Sequence, residues 1–354
     1  MSEPKLSSST MQDRRAQPTI HDVARVAGVS ISTVSKVLND QGKLRPETRA
    51  RVREVAEQLG FRPNDLAQSL LRGRTFTVGL LTTDSYGRFS LPILAGIEDA
   101  LGPTRMSVFL SCANDDVARE QQHIEALLAK KVDGIIVTSR RIDPRAPVRV
   151  GNTGTPVIYA LAQVLDPTAL CLLPDETQGV RLAIEHLLAG GRRHFAHITG
   201  PGRFESVRVR SRTTRAVLAE HGVVLPDQHV LSGTWHEHWG YDAANLLLDT
   251  NREIDAIFCG NDLIARGVAD RLRERGVRVP DDIAIVGFDN WEIIAEGTRP
   301  PLTSVDQNLR ALGHLAASKL LTRINGADET GILYQPCELV VRQSSGSAHP
   351  PASS

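Results

Sequence analysis

The groupings in this sequence that could support covalent or cofactor chemistry lack the spacing such chemistry requires. Gly200-Pro201-Gly202 opens like a glycine-rich turn that cradles a dinucleotide pyrophosphate, but Glu205 stands where the third glycine belongs. The segment reads instead as a loop in a ligand-binding lobe. His236 and His238 flank Glu237, yet residues i and i+2 at a helix start point apart, so they read as a solvated pair rather than metal ligands. No G-x-x-x-x-G-K-S/T run, G-x-S-x-G elbow or H-E-x-x-H motif occurs. Cys112, Cys171, Cys259 and Cys337 have no C-x-x-C spacing, and three lie in or beside apolar runs. They read as buried reduced thiols. No catalytic residue, metal site or cofactor is expected, which leaves binding as the chemistry to explain.

Charge points to one binding partner. Lys plus Arg and Asp plus Glu each total 41, so the whole chain is formally neutral. Residues 1–75 nevertheless carry 13 basic against 8 acidic side chains, a net +5, and the remainder carries the matching −5. A basic head on an acidic body suits phosphate binding by one end. The first eighteen residues contain no apolar stretch of the signal-peptide kind, and no later run is long enough to span a bilayer, so a cytoplasmic protein with no membrane partner is expected.

These properties require elements to hold them. Residues 1–18 read as a disordered arm. Thr19 and Asp22 form a capping-box pattern that starts a helix running to about Ala27, and Gly28 supplies the permissive backbone of a turn. Ser30 or Ser32 can cap a second helix with Val34, Val37 and Leu38 on one face, ending near Asn39. Pro46 suits the first turn of a third helix, which repeats Val52, Val55, Ala56 and Leu59 before Gly60. Residues 19–62 are thus a three-helix, helix-turn-helix bundle. After Pro63, residues 63–75 form a hinge and linker in which a segment from Asn64 to Leu71 has helical composition but is too short to be stable alone.

From Phe76 onward, apolar runs alternate with amphipathic stretches. The runs Thr77 to Thr82, Ser107 to Cys112, Gly134 to Thr138, Val157 to Ala160, Phe195 to Thr199, Ala256 to Cys259 and Ile283 to Phe288 read as strands. The helical stretches between them imply β-α-β units, and the number of elements implies two lobes with parallel sheets over 76–343. Residues 344–354 read as a disordered tail. Ligands of open α/β sheets sit beyond the carboxyl ends of the strands, so polar residues there are the candidates for a pocket.

The stretch T-I-H-D-V-A-R-V-A-G-V-S-I-S-T-V-S-K-V-L-N from Thr19, continued by F-R-P-N-D-L-A-Q-S-L, closely resembles the DNA-binding head and hinge of the LacI/GalR repressor family. The resemblance implies that the second helix lies in the major groove, with Ile31, Ser32 and Lys36 reading bases. An ammonium can donate to guanine O6 and N7, a hydroxyl to several edges, and Ile31 suits a thymine methyl. Thr19, Ser30, Thr33, Ser35 and Asn39 are implied to position phosphates or to serve as caps. In the hinge, Leu70 maps onto the residue that pries open a minor-groove step, with Asn64, Ala67 and Gln68 beside it.

The body resembles the same family, and through it the periplasmic sugar-binding proteins. The similar segments are D-A-I-F-C-G-N-D-L-I-A-R-G-V (Asp255 to Val268), V-P-D-D-I-A-I-V-G-F-D-N (Val279 to Asn290) and R-P-P-L-T-S-V-D (Arg299 to Asp306). Position by position, Arg210, Asn261, Asp289 and Gln307 fall where relatives bond sugar hydroxyls, and Trp235 falls where an indole stacks on the ring. Phe89, Ser90, Ile93 and Thr138 are further members from the first lobe. Leu161 is apolar where some relatives place an acidic sugar ligand. Asn261-Asp262 and Asp289-Asn290 can equally serve as a helix cap and a turn. The implied fold class is an all-α helix-turn-helix DNA-binding head plus an α/β, periplasmic-binding-protein-like, two-lobed body with parallel sheets. The first lobe would span about 76–162 and 309–333, the second about 163–306 and 334–343.

The resemblance implies a transcriptional repressor that is not an enzyme. Its partners would be a near-palindromic operator DNA, a small effector of the sugar class, and a second copy in a homodimer or higher oligomer. Two other readings stay open: a cytoplasmic sugar sensor acting through protein partners, and a regulator responding to a purine-like effector. Whether the effector releases DNA or promotes its binding is also open.

Overall fold

A computed structural model describes residues 18–39, 41–61, 74–104, 106–250 and 253–346. The candidate hinge residues Asn64, Ala67, Gln68 and Leu70 lie outside the described residues, as do arm residues 1–17 and tail residues 347–354. The chain divides into two compact units, 1–75 and 76–354.

In the first unit, α1 (Ile20–Ala27), α2 (Ile31–Leu38) and α3 (Pro46–Gln58) are each started by the local chemistry of the sequence. The Thr19 amide donates to Asp22 Oδ2 at 3.0 Å and the Asp22 amide donates back to Thr19 Oγ1 at 3.4 Å, closing the capping box. Gly28, at φ 65°, ends α1 in the left-handed region that glycine tolerates. Ser30 caps α2, accepting from the Thr33 amide at 3.2 Å, and Pro46 occupies the first turn of α3. Eight-residue helices are not stable alone in water. Val23, Val34, Val37 and Val52 are 0 % exposed at their junction, and each contributes roughly 1.5–3 kcal/mol by burial.

The second unit holds two sheets. In the first, β1 (Thr77–Thr82) pairs in parallel with β2 (Ser107–Cys112) and β3 (Gly134–Thr138). The sheet continues through β4 (Val157–Ala160) and β5 (Leu170–Pro174). The second sheet contains β6 (Phe195–Thr199), β7 (Val230–Ser232), β8 (Ala256–Cys259), β9 (Ala284–Phe288) and β10 (Thr303–Asp306). Late in the chain β11 (Gly331–Gln335) returns to the first sheet and β12 (Glu338–Val340) to the second, giving the orders β11-β5-β4-β3-β1-β2 and β12-β10-β9-β8-β6-β7. Only β12 runs antiparallel to its neighbour among these strands. Strands β3, β5, β6 and β9 are buried at every residue, because helices cover both faces of a parallel sheet.

Two boundaries differ from those expected of the sequence. Residues 163–174 are expected in the second lobe, yet β5 pairs with β4 in the first sheet, as Ile158 opposite Leu170 shows. The first lobe therefore runs on to Pro174 and also takes Tyr334 and Gln335 through β11. The expected disordered tail starts too early as well. Ser344 and Ser345 are buried, Ser344 Oγ accepts from the Thr303 amide at 2.8 Å, and it donates to the Ile285 carbonyl at 2.7 Å. The Ser344 hydroxyl thus bridges the first residue of β10 to β9 in the interior of the second sheet.

The chain crosses between lobes three times: after β5, after β10 and after β11. The crossings are tied to one another, since the Asp175 amide donates to the Gln335 carbonyl at 2.8 Å and Asn308 Nδ2 to the Pro336 carbonyl at 3.0 Å. Helices α4 (Ser90–Leu101) and α11 (Leu309–Ile324) pack backbone to backbone in the first lobe. A Cβ on Gly313 would stand 2.1 Å from the Ile93 carbonyl oxygen, so only glycine permits this approach. Cys171, Cys259 and Cys337 are buried free thiols, and Cys112 is half-buried.

Candidate DNA-reading surface and effector cleft

The first unit presents a polar helix face. Val34 and Val37 turn inward on α2, which leaves Ile31, Ser32 and Lys36 exposed on the opposite side. Ile31 is 42 % exposed. Ser30 Oγ lies 2.8 Å from Ser32 Oγ and 2.9 Å from Thr33 Oγ1, forming a hydroxyl cluster at the amino end of the helix. The free N–H groups there favour an anion such as phosphate. Thr19 and Ser30 serve as caps. Asn39 donates from Nδ2 to the Ser35 carbonyl at 2.8 Å and closes the other end.

In the second unit a cleft of about 450 Å³ opens between the lobes. Its walls are loops that follow strands: Arg88 and Phe89 after β1, Arg140 to Ile142 after β3, and Leu161 after β4. From the other lobe come Trp235 after β7, Asn261 after β8, Asp289 after β9 and Gln307 after β10. Helix α6 (Glu176–Ala189) gives Glu176, while Phe204 and Arg210 come from the start of α7 (Glu205–Glu220). Every wall thus stands beyond a carboxyl end or on a helix that follows one, as open parallel sheets dictate.

Arg210 organises the second-lobe wall. It is 4 % exposed, pairs with Glu176, donates from Nη1 to the Gly260 carbonyl, and lies 3.6 Å from the Phe288 ring centroid. Burial pushes the Glu176 carboxyl above its usual range against the opposing pull of Arg210. Asp289, also raised by burial, is ion-paired with Arg88 across the cleft and accepts from Gln307 Nε2 at 2.9 Å. Gln307 Oε1 is buried with no hydrogen-bond partner among the described residues. Arg88 is itself held between rings, with Cζ 4.9 Å from the Phe89 centroid and 4.8 Å from that of Trp291.

Trp235 stands over Gly200, where any Cβ would come within 2.3 Å of the indole, and its ring is 6.3 Å from Phe204 at an interplanar angle of 26°. Asn261 lines the cleft and also caps α9 (Asp262–Glu274), accepting from the Ile264 amide at 2.8 Å. Asp289 and Asn290, with φ of 103° and 45°, bend the chain through left-handed backbone just after β9. The cap at Asn261 and the bend at Asp289 thus coexist with a place in the wall. Behind it, burial raises the Asp262 carboxyl to about 7, and Asp262 accepts from the Trp291 amide at 2.7 Å.

Six of the nine effector candidates come together here: Phe89, Arg210, Trp235, Asn261, Asp289 and Gln307. Ser90, Ile93 and Thr138 do not line the cleft. The amide and hydroxyl of Ser90 both reach Asp84, and Ile93, one turn further along α4, is 0 % exposed against Val78 and Leu80. Thr138 is buried within β3. Sequence reasoning misses Arg88, Arg140, Arg141, Glu176, Phe204 and His236. The pairing of apolar runs with a following arginine, as at Val137-Thr138-Ser139-Arg140-Arg141, is the one available sign.

Comparison with known proteins places both units. Residues 19–64 match the model for bacterial regulatory proteins of the lacI family, and residues 184–345 match a periplasmic binding protein-like domain. The catabolite control protein A of Priestia megaterium is 31 % identical over 92 % of this chain and 98 % of its own. The ribose operon repressor of Escherichia coli K12 is 33 % identical over 86 % of this chain and 93 % of its own. A crystal structure of the Lac repressor dimer bound to operator and the anti-inducer ONPF superposes with a TM-score of 0.78 at 28 % identity, covering 94 % of this chain and 100 % of that one. A complex of the transcriptional regulator CelR with cellobiose gives 0.64 at 29 % identity, covering 92 % and 99 %. The chain therefore belongs to the lacI family of bacterial regulatory proteins and is a DNA-binding transcriptional regulator.

Proposed function

We propose that this protein represses transcription by binding a near-palindromic operator as a homodimer, and that a small polyhydroxylated effector in the cleft sets its operator affinity. The observation that carries the effector half is Trp235 standing beside Arg210, Asn261, Asp289 and Gln307 in one cleft. An indole offers an apolar face to a pyranose ring, and the polar groups around it match hydroxyls. The sugar complex of a similar regulator supports this class.

On the DNA side, Ile31, Ser32 and Lys36 read bases, with Ser30, Thr33 and Ser35 on phosphates. Asn64, Ala67, Gln68 and Leu70 enter the minor groove. The dimeric, operator-bound relative supports two-fold symmetry, as do Phe109 and Leu110, 40 % and 46 % exposed on edge strand β2. The protein acts in the cytoplasm, by binding and without turnover, and no helix among the described residues is long and apolar enough to cross a membrane.

The effector acts by preferring one of two lobe arrangements. The interlobe pair Arg88–Asp289 belongs to the arrangement seen here, and a ligand that bonds Asp289 competes with it. The test is a thermal-shift screen of mono- and disaccharides on the full chain, with and without operator DNA. A sugar-specific shift that changes when operator is present is expected. Shifts by nucleobases alone would replace the sugar with a purine-like ligand, and turnover of any sugar would refute the binding-only role.

A further inference from the structure

The cleft proposed to hold the effector carries cationic groups that a neutral ligand does not use, and a role for them in binding rests on that same assignment of the cleft. Arg88 and Arg210 are neutralised within the walls by Asp289 and Glu176. Three more arginines, Arg140, Arg141 and Arg203, line the same cleft. Arg140 and Arg141 share one carboxylate, Asp115, which Arg141 meets only at 3.5 Å. Arg203 forms no ion pair among the described residues, and its guanidinium instead rests 4.5 Å from the Phe204 ring centroid.

Of the carboxylates at this end, Asp143 accepts from the Glu205 amide through Oδ1 at 2.9 Å, while its Oδ2 is buried with no hydrogen-bond partner among the described residues, and Glu205 pairs with Arg208 at 2.6 Å. Arg141 belongs to the first lobe and Arg203 to the second, yet both guanidinium carbons lie within 5.4 Å of the same Phe204 centroid. Helix α7 begins beside them, its first amide, that of Glu205, already taken by the Asp143 carboxylate, and Ser206 of its first turn lines the cleft. On the floor, Gln307 Oε1 is buried without a donor among the described residues, an acceptor suited to a ligand hydroxyl.

We propose that the cleft takes a polyhydroxylated ligand bearing an anionic group, a phosphate monoester or a carboxylate, with the anion held between Arg141 and Arg203 and the hydroxyls reaching Asp289 and Gln307. An anion shared by one arginine from each lobe also draws the lobes together. Planar guanidinium groups donate paired hydrogen bonds to such oxygens.

Isothermal titration of the full chain tests this with ribose and glucose against ribose 5-phosphate, glucose 6-phosphate and gluconate, with inorganic phosphate alone as a further arm. At least one anionic sugar should bind about tenfold or more tighter than its neutral parent, the worth of one charge-assisted hydrogen bond. That advantage should shrink with added salt and collapse in Arg203→Ala and Arg141→Ala, while Arg203→Lys keeps part of it. Glucose 6-phosphate against gluconate decides between phosphate and carboxylate.

Affinities for ribose 5-phosphate, glucose 6-phosphate and gluconate that all merely equal those of the neutral sugars overturn the anion proposal and leave the sugar site standing, as does an affinity ratio unchanged in both arginine variants. Inorganic phosphate binding as tightly as any sugar phosphate overturns it too, because the hydroxyls then contribute nothing. Failure of every sugar, neutral or anionic, overturns this proposal and the sugar reading together.

Discussion

Replacing Arg210 by Met should cost the body much of its stability, and the cost should be recoverable at one other residue. The guanidinium and the Glu176 carboxylate are each about as buried as a core leucine, with side-chain exposures of 5 % and 4 %. Arg210 also satisfies the Gly260 carbonyl. Removing one partner of a buried ion pair leaves the other charge uncompensated and costs about 3–5 kcal/mol. At roughly 2–4 °C per kcal/mol for a domain of this size, the melting temperature should fall on the order of 10 °C.

The stranded Glu176 escapes part of that cost by taking up a proton, since burial already raises its carboxyl. Its raised value means that the native state holds the proton more tightly than the unfolded chain. The variant's deficit should therefore be least near and below the ordinary carboxylate range and grow as pH rises. Adding Glu176→Gln removes the buried charge and should return at least half of the loss. Calorimetric melts of Arg210→Met and of the double variant, from pH 5 to 8, check this. A single variant melting within about 2 °C of the parent, or a double variant no more stable than the single, refutes the reasoning.

Other perturbations are sharper in sign than in size. Lys36→Ala should weaken operator binding by about 1–3 kcal/mol in a salt-controlled titration, and an equal loss on non-specific DNA would move Lys36 from base reading to phosphate contact. Leu70→Ser should abolish operator binding in a gel-shift titration while effector binding persists; unaltered operator affinity sinks the wedge assignment. Gly313→Ala should cost about 1–3 kcal/mol in urea melts, because its methyl would meet the Ile93 carbonyl; a change under about 0.5 kcal/mol contradicts the backbone contact. Buried His197, whose value is lowered from 6.5 to about 4, contributes stability that is lost as pH falls through that window. Asp262, raised from 3.8 to about 7, contributes stability that is lost as pH rises. The two oppose each other, so Asp262→Asn should steepen acid destabilisation between pH 6.5 and 4 by up to roughly 1.4 kcal/mol per pH unit; urea midpoints with the parent's pH slope would refute it.

How much of the molecule is legible in its sequence depends on the range of the forces involved. Caps and turns are local, so Thr19, Asp22, Gly28 and Pro46 announce the head helices, and continuous apolar runs announce β1 to β4, β6, β8 and β9. Strands such as β7 and β12 are three residues long and half exposed, too short to show a period. They exist because a neighbouring strand supplies their hydrogen bonds. The wall residues at strand ends are accessible through the carboxyl-end rule and the family resemblance. Arg88, Glu176 and the Phe204 platform are not, because their roles depend on the approach of segments far apart in sequence, such as Arg88 to Asp289. Ile93 fails because of its position along the helix: Phe89 at the amino end of α4 reaches the cleft, while Ile93, four residues on and on the same face, already lies in the core of the first lobe.

The triple crossing between lobes also bears on how the protein is made. Neither lobe is a continuous stretch of chain: the first needs α11 and β11, the second needs β12 and the serines at 344 and 345. During synthesis from the amino end, the head can fold as soon as it emerges, whereas each lobe lacks an edge strand until nearly the whole body has left the ribosome. Both sheets then expose unpaired strand edges at the same time, β5 on one and β10 on the other. The body is thus completed in a single late step, and a chain stopped at about residue 300 would present two unfinished sheets to chaperones and proteases, not one finished lobe.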